Sequence, residues 1–165
     1  MTYIHTTTGT PEFLKQLQEK YGSAEMHVLY GSSGTLLLHE TDGKTKFQTP
    51  RSYEVLASYG NFHENGYFYF YYIPVSDEGR PVFEHEAVKL TQTTSNEPGL
   101  FALRVLKPLK ADTYLILSQW SGASSYEQWL KHNPVQLEKL ASTQNIFTSA
   151  PYTHVYRTKK EEAEE

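Results

Sequence analysis

The chain contains no cysteine among its 165 residues. This absence excludes disulfides, thiolate metal sites and cysteine nucleophiles, and it fits a reducing compartment. No apolar run approaches the roughly 20 residues that a membrane-spanning helix needs. The first residues also lack the basic start and apolar stretch of a secretory signal. We therefore expect a cytoplasmic protein without a transmembrane segment, and peripheral membrane association stays open.

An excess of positive charge is also missing. Fifteen basic residues stand against nineteen acidic residues, which gives a formal net charge of −4. A chain of this kind offers no basic field for nucleic acid. Hydrophobic residues make up 38% and charged residues 21%, a balance typical of a folded globule. The length fits one domain or two small fused domains, and a monomer, a homodimer or a protein partner remains compatible with it.

Common catalytic and metal-binding motifs do not occur. The seven histidines are scattered, and neither an HExxH motif nor a close pair at ligand spacing is present. The glycine-rich stretch Tyr30–Thr35 lacks the Lys-Ser/Thr of a phosphate-binding loop and is typical of a hairpin turn. We therefore expect no structural metal and no nucleotide site.

Two parts of the chain repeat each other weakly, which indicates an internal duplication. Three short matches follow in the same order in both halves. The pairs are Tyr3–Phe13 with Tyr72–Phe83, Leu36–Gly43 with Leu115–Gly122, and Ser52–Leu56 with Ser125–Trp129. We expect an N-terminal ferredoxin-like half at residues 1–63, a C-terminal domain at 64–157 and a charged, flexible tail at 158–165.

The second half is predicted to follow the order β-α-β-β-α-β of the ferredoxin-like fold. Periodicity and turn residues indicate these elements. They are a strand at Tyr67–Val75, a helix from Pro81 to about Leu90, strands at Leu100–Pro108 and Thr113–Trp120, a helix at Gly122–His132, a further helical piece from about Pro134, and a strand at Tyr152–Arg157.

The first half follows the same order less clearly. Its predicted strands are Tyr3–Thr7, Met26–Tyr30 and Thr35–Glu40, its predicted helices are Pro11–Tyr21 and about Arg51–Ser58, and its last strand is undetermined. The combination predicts an α+β protein made of tandem ferredoxin-like (βαββαβ) halves. Two such sheets placed face to face bury aromatic residues on both faces of a strand.

The stretch YFYFYYIPV, Tyr67 to Val75, sets six aromatic rings in a row. It is too short and too rich in hydroxyls for a membrane anchor. Strand alternation sends Tyr67, Tyr69 and Tyr71 to one face and the intervening rings to the other. The stretch is thus either an inner core strand or the wall of a ligand cavity. Three tyrosines on one face favour a cavity, because buried hydroxyls need partners.

Longer segments of the chain resemble a known family. "EGRPVFE", "NEPGLFALRVLKP" and "YLILSQWSGASSYEQWLKHNP" in the second half, and "HETDGKTKFQTPRSYEV" in the first, are similar to the ABM-domain (IsdG-type) superfamily. The resemblance is to its long two-lobed branch, the HmoB/TRAP type, and runs from about Thr2 to Arg157. It implies two fused halves that imitate a dimer in one chain, as a pseudo-dimeric α+β barrel. We expect that barrel to enclose one ring-lined space bordered by Trp129.

The resemblance also implies a haem site, because members of this family degrade haem. The family tryptophan that presses on the porphyrin matches Trp129, and the strand asparagine on the oxygen side falls on Tyr71. The iron-binding histidine falls on Lys139. Trp129 and Tyr71 are therefore the candidate catalytic residues. Tyr69 on the same strand face and His132, one helical turn after Trp129, join them as candidates for cofactor contact.

Two of the three family positions carry chemically different residues. A protonated lysine does not bind haem iron, and tyrosine lacks the paired donor and acceptor of an amide. The sequence thus predicts a degenerate haem-monooxygenase relative that binds a flat hydrophobic molecule such as haem, or that acts in signal transduction. The alternative is an active haem-degrading monooxygenase that uses O2 and a reductant.

Overall fold

A computed structural model describes residues 1–22, 25–132 and 148–158, with residue 132 described for its backbone only. These residues form eight strands and three α-helices. The elements are β1 (Tyr3–Gly9), α1 (Pro11–Tyr21), β2 (Met26–Gly31), β3 (Gly34–Thr41), β4 (Arg51–Gly60), β5 (Tyr67–Pro74), α2 (Arg80–Thr94), β6 (Leu100–Pro108), β7 (Thr113–Trp120), α3 (Ala123–His132) and β8 (Tyr152–Arg157). The helical piece predicted from Pro134 lies outside the described residues.

The strands close into one antiparallel barrel in the order β1-β3-β2-β8-β5-β7-β6-β4. The strand order is β4-β1-β3-β2 across the first half and β8-β5-β7-β6 across the second half, so the two halves have the same topology. The second strand of each half pairs with the fourth strand of the other, in the β2–β8 and β4–β6 pairs. This arrangement is the predicted pseudo-dimeric α+β barrel, and the predicted fold class is confirmed. The limits given above for the two halves stay a prediction.

The predicted helix at Arg51–Ser58 is wrong, because this segment is strand β4. It pairs with β1 on one side and β6 on the other, with a bulge between Val55 and Ala57. Residues 51–54 pair with β1 and residues 53–60, apart from the bulge, pair with β6, and this pairing overrides a local pattern that also fits a helix. The third repeat match therefore equates a strand with a helix, whereas the second equates β3 with β7.

The barrel interior is filled by buried side chains from all eight strands. They are Ile4, Leu29, Leu36, Leu38, Tyr53, Phe68, Phe70, Tyr72, Leu106, Leu115, Leu117 and Tyr156. Trp129 lies outside the barrel, packed against a second cluster. The expectation of a single enclosed space bordered by Trp129 is therefore wrong: apolar packing occupies the middle of the barrel, and the indole lies on the opposite face of the sheet.

Strand β5 is an inner strand, paired with β7 along its whole length and with β8 along most of it. Its predicted alternation is confirmed. Phe68, Phe70 and Tyr72 point into the barrel, whereas Tyr69 and Tyr71 belong to the outer side. Alternate rings of this strand thus pack in the barrel core, and the intervening rings face the helices that cover the sheet.

Helices cover the outer faces of the two halves. Helix α1 packs Leu14 against Met26, Leu37 and Phe47 of the first half. Helices α2 and α3 cover the second half through Phe83, Ala87 and Leu90 and through Tyr126 and Trp129. Within the described ranges, no helix combines the length and apolarity required to cross a membrane.

One end of the barrel is closed by a buried ion pair. The Arg104 guanidinium lies 2.7 Å from a carboxylate oxygen of Glu40 and donates to the carbonyls of Tyr59 and Gly60 at 2.8 and 3.0 Å. The Phe62 ring lies 4.7 Å from the same guanidinium. These contacts satisfy a charge that is 4% exposed and seal this end against solvent.

Candidate functional site

Helix α3 and the outer face of β5 bring together the residues singled out by the sequence. Tyr71 and Trp129 both pack against the same buried cluster, to which Tyr69 itself belongs. His132 is the last residue of α3. Lys139, the position that matches the iron ligand of the family, lies outside the described residues. The structure therefore joins Trp129, Tyr71 and Tyr69 at one place.

The space between α3 and the sheet is occupied by stacked rings. The Tyr126 ring lies flat on the Tyr69 ring, with a centroid distance of 3.6 Å and an interplanar angle of 7°. Trp129 lies 6.0 Å from Tyr126 and 5.7 Å from Trp120, both in tilted arrangements. We call these four rings, Tyr69, Trp120, Tyr126 and Trp129, the ring cluster. The stacking distance shows that a single pair of stacked rings fills the space between α3 and the sheet.

A tight turn before β6 places the start of α3. Gly99 has φ +83°, a value that glycine adopts without steric cost. A side chain there would collide with Ser125 and Ser121, so the turn lies directly against the first residues of the helix. The carbonyl of Gly99 accepts a hydrogen bond from the backbone N–H of Ser121 at 2.8 Å. The helix is thereby held close enough to the sheet for its rings to stack.

Trp120 supplies the rigid base of the ring cluster. It is fully buried at the end of β7, and its indole N–H donates to the Ser118 hydroxyl at 2.9 Å. A buried indole with a satisfied N–H has little freedom to reorient. Trp129 and Tyr126 are only partly buried, and they pack on this base from the helix. The less buried members of the cluster are therefore those carried by α3.

Burial favours the neutral phenol form of Tyr69 and Tyr126. Burial raises the pKa of Tyr126, and the neighbouring Tyr71 adds to the rise. Burial likewise raises the pKa of Tyr69, with Tyr126 as the next contributor. Removing a proton would place a phenolate in a poorly solvated, ring-lined space. The protonated hydroxyls of Tyr69 and Tyr126 can donate hydrogen bonds.

The described residues fit a porphyrin ring better than its iron. Flat aromatic side chains match a planar hydrophobic ligand, as the stack on Tyr69 shows. Iron binding needs a neutral imidazole or a deprotonated ligand. Among the described side chains that pack in this cluster, none is a histidine, and burial raises the pKa of the Tyr69 and Tyr126 phenols, which disfavours their deprotonated forms. Nor does any group of three or more metal-binding side chains occur within the described ranges.

Sequence reasoning missed two members of the ring cluster, Trp120 and Tyr126. Tyr126 precedes Trp129 by three residues, so the two rings share one face of α3. The same spacing rule was applied forward from Trp129 to His132 and would have found Tyr126 if applied backward. Trp120 ends a strand whose alternation alone does not show that its ring faces a helix.

Comparisons with known proteins agree with this geometry. Residues 70–137 match the family described as ABM, antibiotic biosynthesis monooxygenase. The signal transduction protein TRAP of Staphylococcus epidermidis is 28% identical over 127 residues, which is 77% of this chain and 76% of that protein. A heme-degrading monooxygenase of Listeria monocytogenes is 29% identical over 154 residues, which is 93% of this chain and 92% of that protein.

A solved structure shares the fold along the whole chain. It is a ferredoxin-fold protein of Listeria monocytogenes related to antibiotic biosynthesis monooxygenases, with a TM-score of 0.83 and 28% identity. The match covers 97% of this chain and 95% of that one. The matched family region begins within β5, one residue after Tyr69, and extends through α3. It therefore includes three of the four rings of the cluster, those of Trp120, Tyr126 and Trp129. Residues 70–137 are thus similar to the antibiotic biosynthesis monooxygenase (ABM) family, and they form part of a two-lobed ferredoxin-like barrel.

Proposed function

We propose that this protein binds a planar hydrophobic molecule between α3 and the outer face of β5 and does not oxidise it. The stack of Tyr126 on Tyr69, with Trp129 beside it, carries the proposal. A flat ligand that takes the place of the Tyr126 ring would keep the same ring-on-ring contact with Tyr69. The name of the Listeria relative makes haem the first ligand to test.

The residues around the ring cluster support binding without oxygen chemistry. Tyr71 occupies the strand position at which the family resemblance implies an asparagine, and no histidine packs in the described part of the cluster. The described residues thus hold the ring of a ligand without fixing an iron atom for reaction. A regulatory role for ligand binding is in line with the name of the staphylococcal relative.

Binding of haemin and of iron-free protoporphyrin IX tests the proposal. We expect the two affinities to agree within about threefold, because the described side chains contact the ring and not the metal. Binding is followed through quenching of tryptophan fluorescence. Haemin binding that is about a hundredfold tighter than porphyrin binding would indicate an iron ligand and overturn this part of the proposal.

A pair of variants locates the site. Trp129→Ala should weaken porphyrin binding about tenfold, because a ring contact of this kind contributes on the order of 1 kcal/mol or more. Phe13→Ala is the matched control, since Phe13 is a 52% exposed aromatic residue of α1 on the other half of the barrel. An equal loss in both variants would place the ligand elsewhere.

A further inference from the structure

The end of the barrel opposite the Arg104–Glu40 pair contains a cavity of about 490 Å³. Its walls come from both halves and include Thr6, Thr35, Arg51, Tyr72 and Tyr156. Tyr72 and Tyr156 also belong to the packed barrel interior, so the cavity ends on the core and opens at the rim. Its volume lies within the range of small-molecule sites. The cavity is separate from the ring cluster, which lies on the other face of β5.

The charge of this cavity comes from one side chain. Arg51 is the single lysine or arginine in its lining, which contains no aspartate or glutamate. Among the residues that the structure describes, no carboxylate forms an ion pair with Arg51. A guanidinium without a neutralising carboxylate, set in an otherwise uncharged lining, favours an anion.

Three buried tyrosines lie within electrostatic range of Arg51, which is itself exposed. Burial raises the pKa of Tyr53, Tyr72 and Tyr156, and the positive charge of Arg51 opposes the rise in each case. The phenols are therefore protonated at neutral pH and lie close enough to Arg51 to sense its charge. Neutral phenols donate hydrogen bonds, so they complement a bound anion instead of competing with it.

The remaining walls combine hydroxyls with aromatic rings. Thr6 and Thr35 are buried, with 4% and 8% exposure, and line the cavity from the first half. The His154 ring packs edge-on against Tyr72 at 5.4 Å and against Tyr156 at 6.4 Å. A ligand here meets ring surface on one side, hydroxyl groups on the other and a planar cation at the rim. A planar guanidinium pairs with a carboxylate through two parallel hydrogen bonds.

We propose that this cavity binds a small aromatic hydroxy acid, with its carboxylate on Arg51, its ring against Tyr72 and Tyr156, and its hydroxyl among the threonines. Such a ligand uses each chemical feature of the lining. The site takes up an acid from solution without any contact to α3. The proposal of acid binding is therefore independent of porphyrin binding at the ring cluster.

The test compares 4-hydroxybenzoate with 4-hydroxybenzamide, which has the same shape and no charge. With the full chain in a calorimetric titration, we expect the acid to bind at least about tenfold more tightly than the amide. Equal affinities would overturn the proposal, because Arg51 would then contribute no charge recognition. The absence of saturable acid binding up to about 10 mM would overturn it as well. Inorganic phosphate is the third ligand, and phosphate binding as tight as that of the acid would refute the role of the ring walls.

Variants assign the binding to this cavity. Arg51→Gln should abolish the preference for the acid, and Arg51→Lys should retain part of it because the charge stays. Lys89→Gln is the matched control, since Lys89 is an exposed cation on α2, and it should leave acid binding unchanged. Trp129→Ala should also leave acid binding unchanged. If Arg51→Gln does not fold, the Arg51→Lys variant decides: an affinity for the acid identical to that of the unmodified chain would contradict the proposal.

Discussion

The Tyr126 ring lies flat on the Tyr69 ring, 3.6 Å away and 7° from parallel, and so fastens helix α3 to the central strand of the second half. Both rings are uncharged phenols whose pKa is raised by burial. The stack has two consequences. It stabilises the docked helix, and it occupies the place that a flat ligand would take on Tyr69.

Tyr126→Ala should therefore change stability and ligand binding in opposite directions. We expect a loss of about 2 kcal/mol in the free energy of unfolding, since a partly buried ring contact is removed. Porphyrin affinity should increase about threefold to tenfold, because no ring has to be displaced. Urea unfolding and fluorescence titration measure the two effects. Tyr126→Phe keeps the stack and is the control. Weaker porphyrin binding in Tyr126→Ala would mean that Tyr126 contacts the ligand instead of occupying its place.

The buried ion pair of Arg104 and Glu40 predicts a large loss of stability when it is broken. Glu40→Ala should lower the free energy of unfolding by about 3 kcal/mol, because it leaves the Arg104 guanidinium buried without its carboxylate. Glu86→Ala is the matched control, since Glu86 pairs with Lys89 at 3.6 Å on the surface of α2. That pair contributes less than about 0.5 kcal/mol. Similar losses in the two variants would contradict the assigned difference in burial.

Two buried histidines of the first half predict a pH dependence of stability. Burial lowers the pKa of His5, and the neighbouring His39 lowers it further. Burial also lowers the pKa of His39, with Lys46 lowering it and Glu25 opposing the shift. Below about pH 6.5 the unfolded chain binds protons that the folded chain does not, so stability is full above this pH and falls as pH decreases.

Thermal unfolding at about pH 7.5 and pH 5.5 measures this effect. The midpoint should fall at the lower pH, by about 2–4 °C for each kcal/mol lost in a chain of this size. A double variant, His5→Gln with His39→Gln, should show a smaller decrease. His85→Asn, at an exposed position on α2, should behave like the unmodified chain. The same decrease in all three proteins would assign the effect to other groups.

Restoring the residues that the family resemblance implies should raise the affinity for haemin specifically. Tyr71→Asn exchanges the residue on β5, and Lys139→His introduces an imidazole at the matching position, which lies outside the described residues. We expect the double variant to bind haemin at least about tenfold more tightly than the unmodified chain, since imidazole is a strong haem ligand. Affinity for iron-free porphyrin is the internal control and should change little. An equal gain for both ligands would indicate enlarged space and not iron binding.

The sequence correctly predicted those elements whose local residue pattern agrees with the contacts they make in the folded chain. Strand β5 alternates rings toward the core and toward the helices, and its predicted faces are those observed. The limits of β6, β7 and β8 also match, because turn residues and prolines bound them. Strand β4 was predicted as a helix because its pairing with β1 and β6 depends on closure of the barrel, which no local window contains.

The candidate site was predicted in part. The resemblance placed Trp129 and Tyr71 at one location, and both pack on the same cluster. The stack of Tyr126 on Tyr69 and the burial of Arg104 against Glu40 arise from contacts between distant segments. The carboxylate that pairs with Arg104 lies 64 residues away in the chain, so no local sequence window contains the pair.

Titration with haemin followed by addition of ascorbate tests the central claim most directly. The absorption spectrum should saturate as haemin binds, and the Soret band should keep its intensity after the reductant is added in air. That result is predicted because the described residues of the ring cluster offer aromatic surface to a planar ring and include no histidine. Progressive loss of the Soret band, with full retention in a Trp129→Ala control, would show haem degradation at the ring cluster and contradict the account.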